Sequence, residues 1–281
     1  MHAACRVQFT VAHMGQIGEY AIDLEVSAVP GEACYEATHL VLPRRARIMI
    51  ARDPDAKVRV LREACILEAL RHPGIPRVFD CGMIADRPWV ATELVHGNHL
   101  THPMTATELA ALLRDVATIL AHAHRRGVIH NAVWLDSIVR DDGTRGFPVC
   151  LTNWSRATLS EPHEGAIDVR ALGLAAYAAM PDYPPQRLAA LVDDMLAPED
   201  VDRPTAEEVV VIAAGIVAAD EEQDVEEVRL DMDLSRDLPP PPKASTPVRR
   251  SGWTPGAAYE PSHTGRTPSD GVPQAHPKQR S

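Results

Sequence analysis

The residues with which this 281-residue chain could do chemistry are scattered, and their spacing limits what they can offer. Five cysteines (Cys5, Cys34, Cys65, Cys81 and Cys150) are odd in number and form no Cys-x-x-Cys pair. That spacing argues against a zinc site and against a disulfide framework, leaving reduced thiols as the expectation. His122 and His124 flank Ala123 on a helical stretch and so project to different sides, which rules them out as a metal pair. His96, His99 and His102 could hold a metal adventitiously, but a solvated polar loop is the expectation there. No metal site is therefore expected. Asp136, Asp141 and Asp142 are neighbouring acids after His130. Thr246, Thr254 and Thr267 each precede a proline, and Pro239 to Pro242 form a run. Phosphorylation of those threonines would add roughly −1.5 to −2 charge per site. The proline run could present a polyproline segment to a groove, although a solvated tail without a specific partner is the plainer expectation.

The first ninety-odd residues favour strands. Residues 33–42, 47–51, 76–82 and 88–94 are short runs with β-branched or aromatic residues, bounded by Gly, Pro or charge. A helix over 57–71 interrupts them, with Val60, Ala64, Leu67 and Leu70 on one face until His72-Pro73-Gly74 ends it. Thr105 and Glu108 have the spacing of a capping box, and Leu109, Leu112, Val116, Ile119 and Ala123 carry one apolar stripe up to Gly127. Further helices are predicted at 168–180, 185–196 and 205–219. The fold class is therefore α+β, a small sheet-rich lobe followed by a mostly helical one.

Composition breaks near Asp220, where an acidic stretch gives way to Pro, Ser, Thr, Gly and Arg. Such a segment buries too little apolar surface to offset the entropy of ordering it. Residues 220–234 are predicted to extend the last helix and fray, and 235–281 to be disordered. A net charge of −11 argues against nucleic acid as the partner. The longest mostly apolar run, residues 209–219, is too short at about 1.5 Å per residue to cross a membrane core of roughly 30 Å. No secretory signal is visible in residues 1–10, so a cytoplasmic location is expected.

Six blocks, in order, resemble bacterial Ser/Thr protein kinases. Tyr35-Glu36-Ala37-Thr38-His39 resembles the strand after their glycine-rich loop. Arg62-Glu63-Ala64 with Leu70-Arg71-His72-Pro73-Gly74-Ile75 is similar to their helix C segment, and Thr92-Glu93-Leu94-Val95-His96-Gly97 to their hinge. Residues 128–139, Val-Ile-His-Asn-Ala-Val-Trp-Leu-Asp-Ser-Ile-Val, match the frame of the catalytic loop. Asp168-Val169-Arg170-Ala171-Leu172-Gly173 resembles the start of the central helix of the large lobe, and Asp202-Arg203-Pro204-Thr205 a box near the domain end. The resemblance implies a kinase-like N-lobe and hinge at 9–97, a C-lobe with a shortened activation segment at 98–219, and a tail at 220–281.

The resemblance also locates the sites of phosphoryl transfer, which in this family rests on positioning and electrostatics. The glycine positions of the phosphate cradle fall on Ser27, Val29 and Glu32, with Gly31 out of register, so an ordinary turn is expected. The lysine position falls on Met49, with Arg47 and Arg52 as the nearby cations. Glu63 would face that Met, so a solvated glutamate, or one paired with another Arg, is expected. Ala132 stands at the base and cannot accept a proton. Ser137 and Asn153 stand at the two metal positions, both neutral where magnesium favours carboxylates. Only residues 158–167 are available for an activation loop and a substrate-docking loop, so the peptide platform and the partner of Arg203 are missing. Arg203 is then expected to be exposed or paired with another acid. Thr92, Glu93, Leu94 and Val95 could still hold an adenine. His130, Trp154, Leu67, Glu63, Asp168 and Arg203 match structural positions.

These substitutions imply a pseudokinase that binds a protein, an active kinase or its substrate, as a regulatory module in signalling. No cofactor is expected, ATP without magnesium being the one nucleotide ligand the hinge allows. The alternative is a weak or atypical Ser/Thr kinase transferring the γ-phosphate of ATP.

Overall fold

The computed structural model describes residues 15–236, apart from 30, 101, 102, 142, 144 and 161. The disordered-tail expectation for residues 237–281, with Thr246, Thr254 and Thr267, lies outside the described residues, as does Asp142.

The small lobe is a six-stranded antiparallel sheet in the order β1-β2-β3-β4-β6-β5. Its strands are β1 (Gln16–Ile17), β2 (Tyr20–Val29), β3 (Glu32–His39), β4 (Arg45–Ala51), β5 (Val78–Ile84) and β6 (Arg87–Glu93). Period-two alternation on β4 sorts its side chains. Ala46, Ile48 and Ile50 pack with Tyr20 and Trp89 on the outer face. Met49 and Ala51 pack with Val90 on the other face, against Ala56 and Val60 of helix α1 (Pro54–Ala69). Asp53 caps α1 by accepting the Ala56 N–H at 2.8 Å. That cap starts the helix three residues earlier than the apolar stripe alone predicts. β3 ends at His39 rather than 42. Leu40, Val41 and Leu42 stand exposed in the connection to β4, where apolar side chains had suggested more strand.

In the large lobe, α2 (Ala106–His124) starts at the predicted box, with the Thr105 and Glu108 side chains each capping the other's backbone N–H. Two small sheets accompany it. One joins β7 (Gly97–His99), β9 (Ile138–Asp141) and β10 (Val149–Leu151); the other pairs β8 (Val128–Ile129) with β11 (Thr158–Leu159). His99 therefore stands on a paired strand rather than in the loop expected from sequence, with His96 just before it. A β-carbon at Gly97 would lie 2.0 Å from the Arg140 carbonyl oxygen, so only glycine lets β7 approach β9.

Helices α3 (Ala166–Ala179), α4 (Gln186–Met195) and α5 (Ala206–Arg236) complete the lobe. Ile66 and Leu67 of α1, and Leu70 just after it, join its core with Leu113, Ile119, Leu120, Leu151 and Trp154. The two lobes thus share one hydrophobic cluster. The two-lobed α+β reading stands. α5 runs without a break past residue 219, as expected for 220–234, and ends at Arg236, two residues into the stretch expected to be disordered.

Candidate functional site

At the place of a phosphate cradle, β2 and β3 meet in a tight hairpin, Val29 pairing with Glu32. Gly31 takes φ +86°, and a β-carbon there would lie 2.4 Å from Asp53 Oδ2, so the hairpin tip sits against the α1 cap. The Arg52 N–H donates to Gly31 O at 2.6 Å. Glu32 is buried at the start of β3 and accepts from Arg59 Nε of α1 at 2.7 Å. The hairpin is thus pinned to the helix by an acid.

Met49 is buried, opposite Cys34 on one side and Val90 on the other. Arg47 lies two residues earlier, on the same face, and its Nε donates to Cys34 Sγ at 2.9 Å. Glu63 on α1 is only 2% exposed, which overturns the solvated alternative and leaves the other, a neighbouring arginine. It lies within electrostatic reach of Arg47, although its Oε2 has no hydrogen-bond partner among the described residues. Burial pushes the Glu63 carboxyl up to about 7, against the pull of Arg47 and with Glu32 adding to the rise. The physical reason for the correction is face geometry. Glu63 falls in the α1 stripe with Val60 and Leu67, which docks on the sheet.

Along the hinge, Thr92 is buried and its hydroxyl donates to Arg47 O at 3.4 Å. Glu93 is held by Arg145 at 2.6 Å and Arg77 at 3.3 Å. Burial works to raise its pKa, but these two guanidiniums outweigh it and hold the carboxyl below its usual range. Arg145 also donates to Pro73 O at 3.0 Å and Ile75 O at 2.8 Å, tying the loop after α1 to the hinge. Leu94 and Val95 are half-buried.

In the loop after β8, His130 is fully buried, edge-on to Trp154 at 4.5 Å between ring centres, with Nε2 3.0 Å from Thr152 O. Burial lowers its pKa, so the ring is neutral. Asp168, also fully buried, accepts from the backbone N–H of His130 at 2.7 Å and of Asn131 at 2.8 Å. His124 Nε2 lies 2.9 Å from the same carboxylate. Asn131 holds a left-handed φ of +60° and donates to Thr158 Oγ1 at 2.8 Å.

Ala132 presents only a methyl group where a base would stand. The buried Ser137 hydroxyl donates to Trp134 O at 2.6 Å and accepts from Trp134 N at 2.9 Å, so it is spent on its own turn. Asn153 is exposed, with φ +65°. Asp136 is exposed, and Asp141 Oδ2 accepts from the N–H groups of Gly143 and Arg145, both at 2.9 Å. Among the described residues no three His, Cys, Asp or Glu side chains gather as a metal site.

Past Trp154 the chain pairs Thr158 with Ile129 and Leu159 with Val128, then turns at Pro162–Gly165 straight into α3. Arg203 is 6% exposed at its side chain and reaches Asp200 at 2.5 Å, Ala197 O at 2.7 Å and Pro198 O at 2.8 Å. Beside it lies a cleft of about 720 Å³ lined by Asn131, Thr158, Glu164 and Glu207.

This geometry can be set beside known proteins. The kinase domain of PknI from Mycobacterium tuberculosis matches the structure with a TM-score of 0.56, covering 73% of this chain and 98% of that domain at 22% identity. The fold is that of a protein kinase domain. The Ser/Thr-protein kinase pkn2 of Myxococcus xanthus is 31% identical over 142 residues, 48% of this chain and 17% of that protein. PknJ of M. tuberculosis is 30% identical over 124 residues, 41% of this chain and 21% of that protein. The chain is kinase-like in fold and, over part of its length, similar in sequence to Ser/Thr protein kinases. No protein-family model matches it. The kinase-like chain spans about a fifth of the length of these curated relatives.

Sequence reasoning on the kinase-like chain singled out Met49, Ala132, Ser137 and Asn153 but underrated Arg47, Cys34, Glu32 and Arg145. For Arg47 a signal existed: strand alternation puts residues 47 and 49 on one face. For Arg145 there was none, since its partners lie some seventy residues earlier in the loop after α1.

Proposed function

We propose that this kinase-like domain transfers no phosphate and acts by binding a protein, an active kinase or that kinase's substrate. The observation that carries this reading is the spent hydroxyl of Ser137 together with the neutral, exposed Asn153. Magnesium favours charged oxygen ligands, usually one or two carboxylates. Neither metal position supplies one, and Ser137 has already committed its hydroxyl to the backbone.

The residues present do not suit magnesium-ATP in other respects. A buried carboxylate, Glu32, heads the strand where triphosphate charge would gather. Met49 has no charge to offer a phosphate, and Ala132 cannot orient a hydroxyl. What is retained is packing: His130 against Trp154, Asp168 on the loop backbone, α1 in the shared core. Retained packing with lost chemistry is what a binding module requires.

The test is a thermal-shift titration of the full chain with ATP, with and without magnesium, alongside a phosphoryl-transfer assay. A ligand binding only the folded state at 100 times its Kd adds about 2.7 kcal/mol. The expected result is no magnesium-dependent shift and no transfer. A magnesium-dependent shift with transfer would return the chain to the atypical kinases. Titration against an active Ser/Thr kinase, following that kinase's rate, tests the binding arm.

A further inference from the structure

The inner face of the sheet at the hinge carries a feature that the loss of catalysis does not require. Arg47 is paired directly across from Thr92, the first hinge residue, and Cys34 directly across from Met49. The four side chains therefore share one face of neighbouring strands, the face that α1 covers. In a kinase-like fold this face, bounded by the hinge, is where a flat heteroaromatic base would lie. Here the side chains around Arg47 are buried, while Arg47 itself is partly exposed. Met49 and Thr92 are each 4% exposed, Cys34 8% and Glu63 2%. The Arg47 side chain is anchored through Nε at Cys34 Sγ, 2.9 Å away, and lies in the field of Glu63 from α1 and Glu32 from β3.

We propose that Arg47 is an internal plug: its side chain occupies the base site beneath the hinge, so that the pocket is filled by the protein itself. The inference rests on the reading of this domain as a binding module that does not use ATP, and it names the residue that closes the pocket. An arginine suits the role because its stem packs on apolar neighbours while its planar head pairs with acids. Met49, on the same face of β4, supplies an apolar neighbour, and Glu63 and Glu32 lie within electrostatic reach of the guanidinium.

The plug makes a specific statement about ligand class. Removing it should uncover a site for an uncharged nucleoside rather than for a triphosphate. Glu32 stays at the head of β3, and the neutral Ser137 and Asn153 give no metal through which phosphates could be held. Adenosine should therefore bind the unplugged protein better than ATP does.

The experiment compares the full chain with its Arg47→Ala and Arg47→Met variants, titrating adenosine and ATP without magnesium by thermal shift and calorimetry. Arg47→Ala opens the space; Arg47→Met removes the charge but keeps most of the bulk. The expected result is adenosine binding gained at least tenfold by Arg47→Ala, with little gain for Arg47→Met or the parent chain. A folded Arg47→Ala protein with no adenosine binding overturns the plug, and so does equal binding by the parent chain. Equal binding by Arg47→Met would show that charge, not bulk, closes the site, and also overturns it. Truncating one member of a buried charged pair strands the other. For that reason Arg47→Ala with Glu63→Leu is run beside it, and loss of a cooperative melt in both variants overturns the proposal, since a plug is dispensable for folding. Magnesium-dependent phosphoryl transfer by the parent chain is a separate result. It would sink the function proposed above without bearing on the gain measured for Arg47→Ala.

Discussion

Glu63 shows how one buried carboxyl links helix docking to pH. Its pKa stands near 7, against 4.5 for the unperturbed group, because burial outweighs the attraction of Arg47. The folded state therefore holds a proton that the unfolded chain has released between those two values. Stability from this group is complete below about 4.5 and is lost as pH rises through about 7, by linkage of the order of 3 kcal/mol. The groups facing it are Arg47 on β4 and Glu32 on β3. Glu63→Gln is expected to flatten this dependence: its melting temperature should fall less than that of the parent between pH 5 and pH 8. An equal fall in both proteins would place the titration elsewhere. That Glu63 is buried at all could have been read from the stripe it shares with Val60 and Leu67. What could not be read was Arg47 reaching toward it, because that depends on which face of β4 turns to α1.

Among the elements, the joint between the loop after β8 and α3 rests on one side chain. Asp168 accepts two consecutive backbone N–H groups and pairs with His124, all in the dry interior. Asp168→Ala would leave those donors buried without partners, at about 1–3 kcal/mol for each group stranded. A loss of about 3 kcal/mol or more is expected in denaturant melts, enough to unfold a marginal domain. By contrast, Thr105→Ala removes only an exposed cap and should cost about 1 kcal/mol. The two values, measured on the same chain, separate an anchor from a cap. Gly97→Ala tests the β7–β9 approach, where the added methyl would meet the Arg140 carbonyl at 2.0 Å. Its melt is expected to drop well below that of Thr105→Ala.

For the whole molecule, the proposed absence of phosphoryl transfer should survive the return of the individual side chains. A chain carrying Met49→Lys, Ala132→Asp and Asn153→Asp regains the lysine, base and metal carboxylate, yet Arg47, Glu32 and the ten residues 158–167 remain as they are. Phosphoryl transfer to itself or to a generic basic protein is expected to stay at background. Transfer above background would show that those three side chains alone separate this chain from an active kinase. The short segment is the reason for the expectation. Thr158 and Leu159 are already paired with β8, and the chain then passes directly into α3, leaving no length from which to build a peptide platform.

By itself the amino-acid sequence determined the local facts. The apolar stripes of α1 and α2, the Thr105–Glu108 box, the order of the kinase-like blocks and the identities at 49, 132, 137 and 153 are all set within a few residues of chain. Local periodicity and capping act over one or two turns, so they are legible without neighbours. Only the tertiary structure decided where Arg47 and Arg145 point, that the Ser137 hydroxyl is spent on Trp134, and that Glu63 is dry. Those outcomes depend on strand register and on which faces meet across the lobes. The partners come from segments up to some seventy residues apart, and no local pattern encodes that meeting.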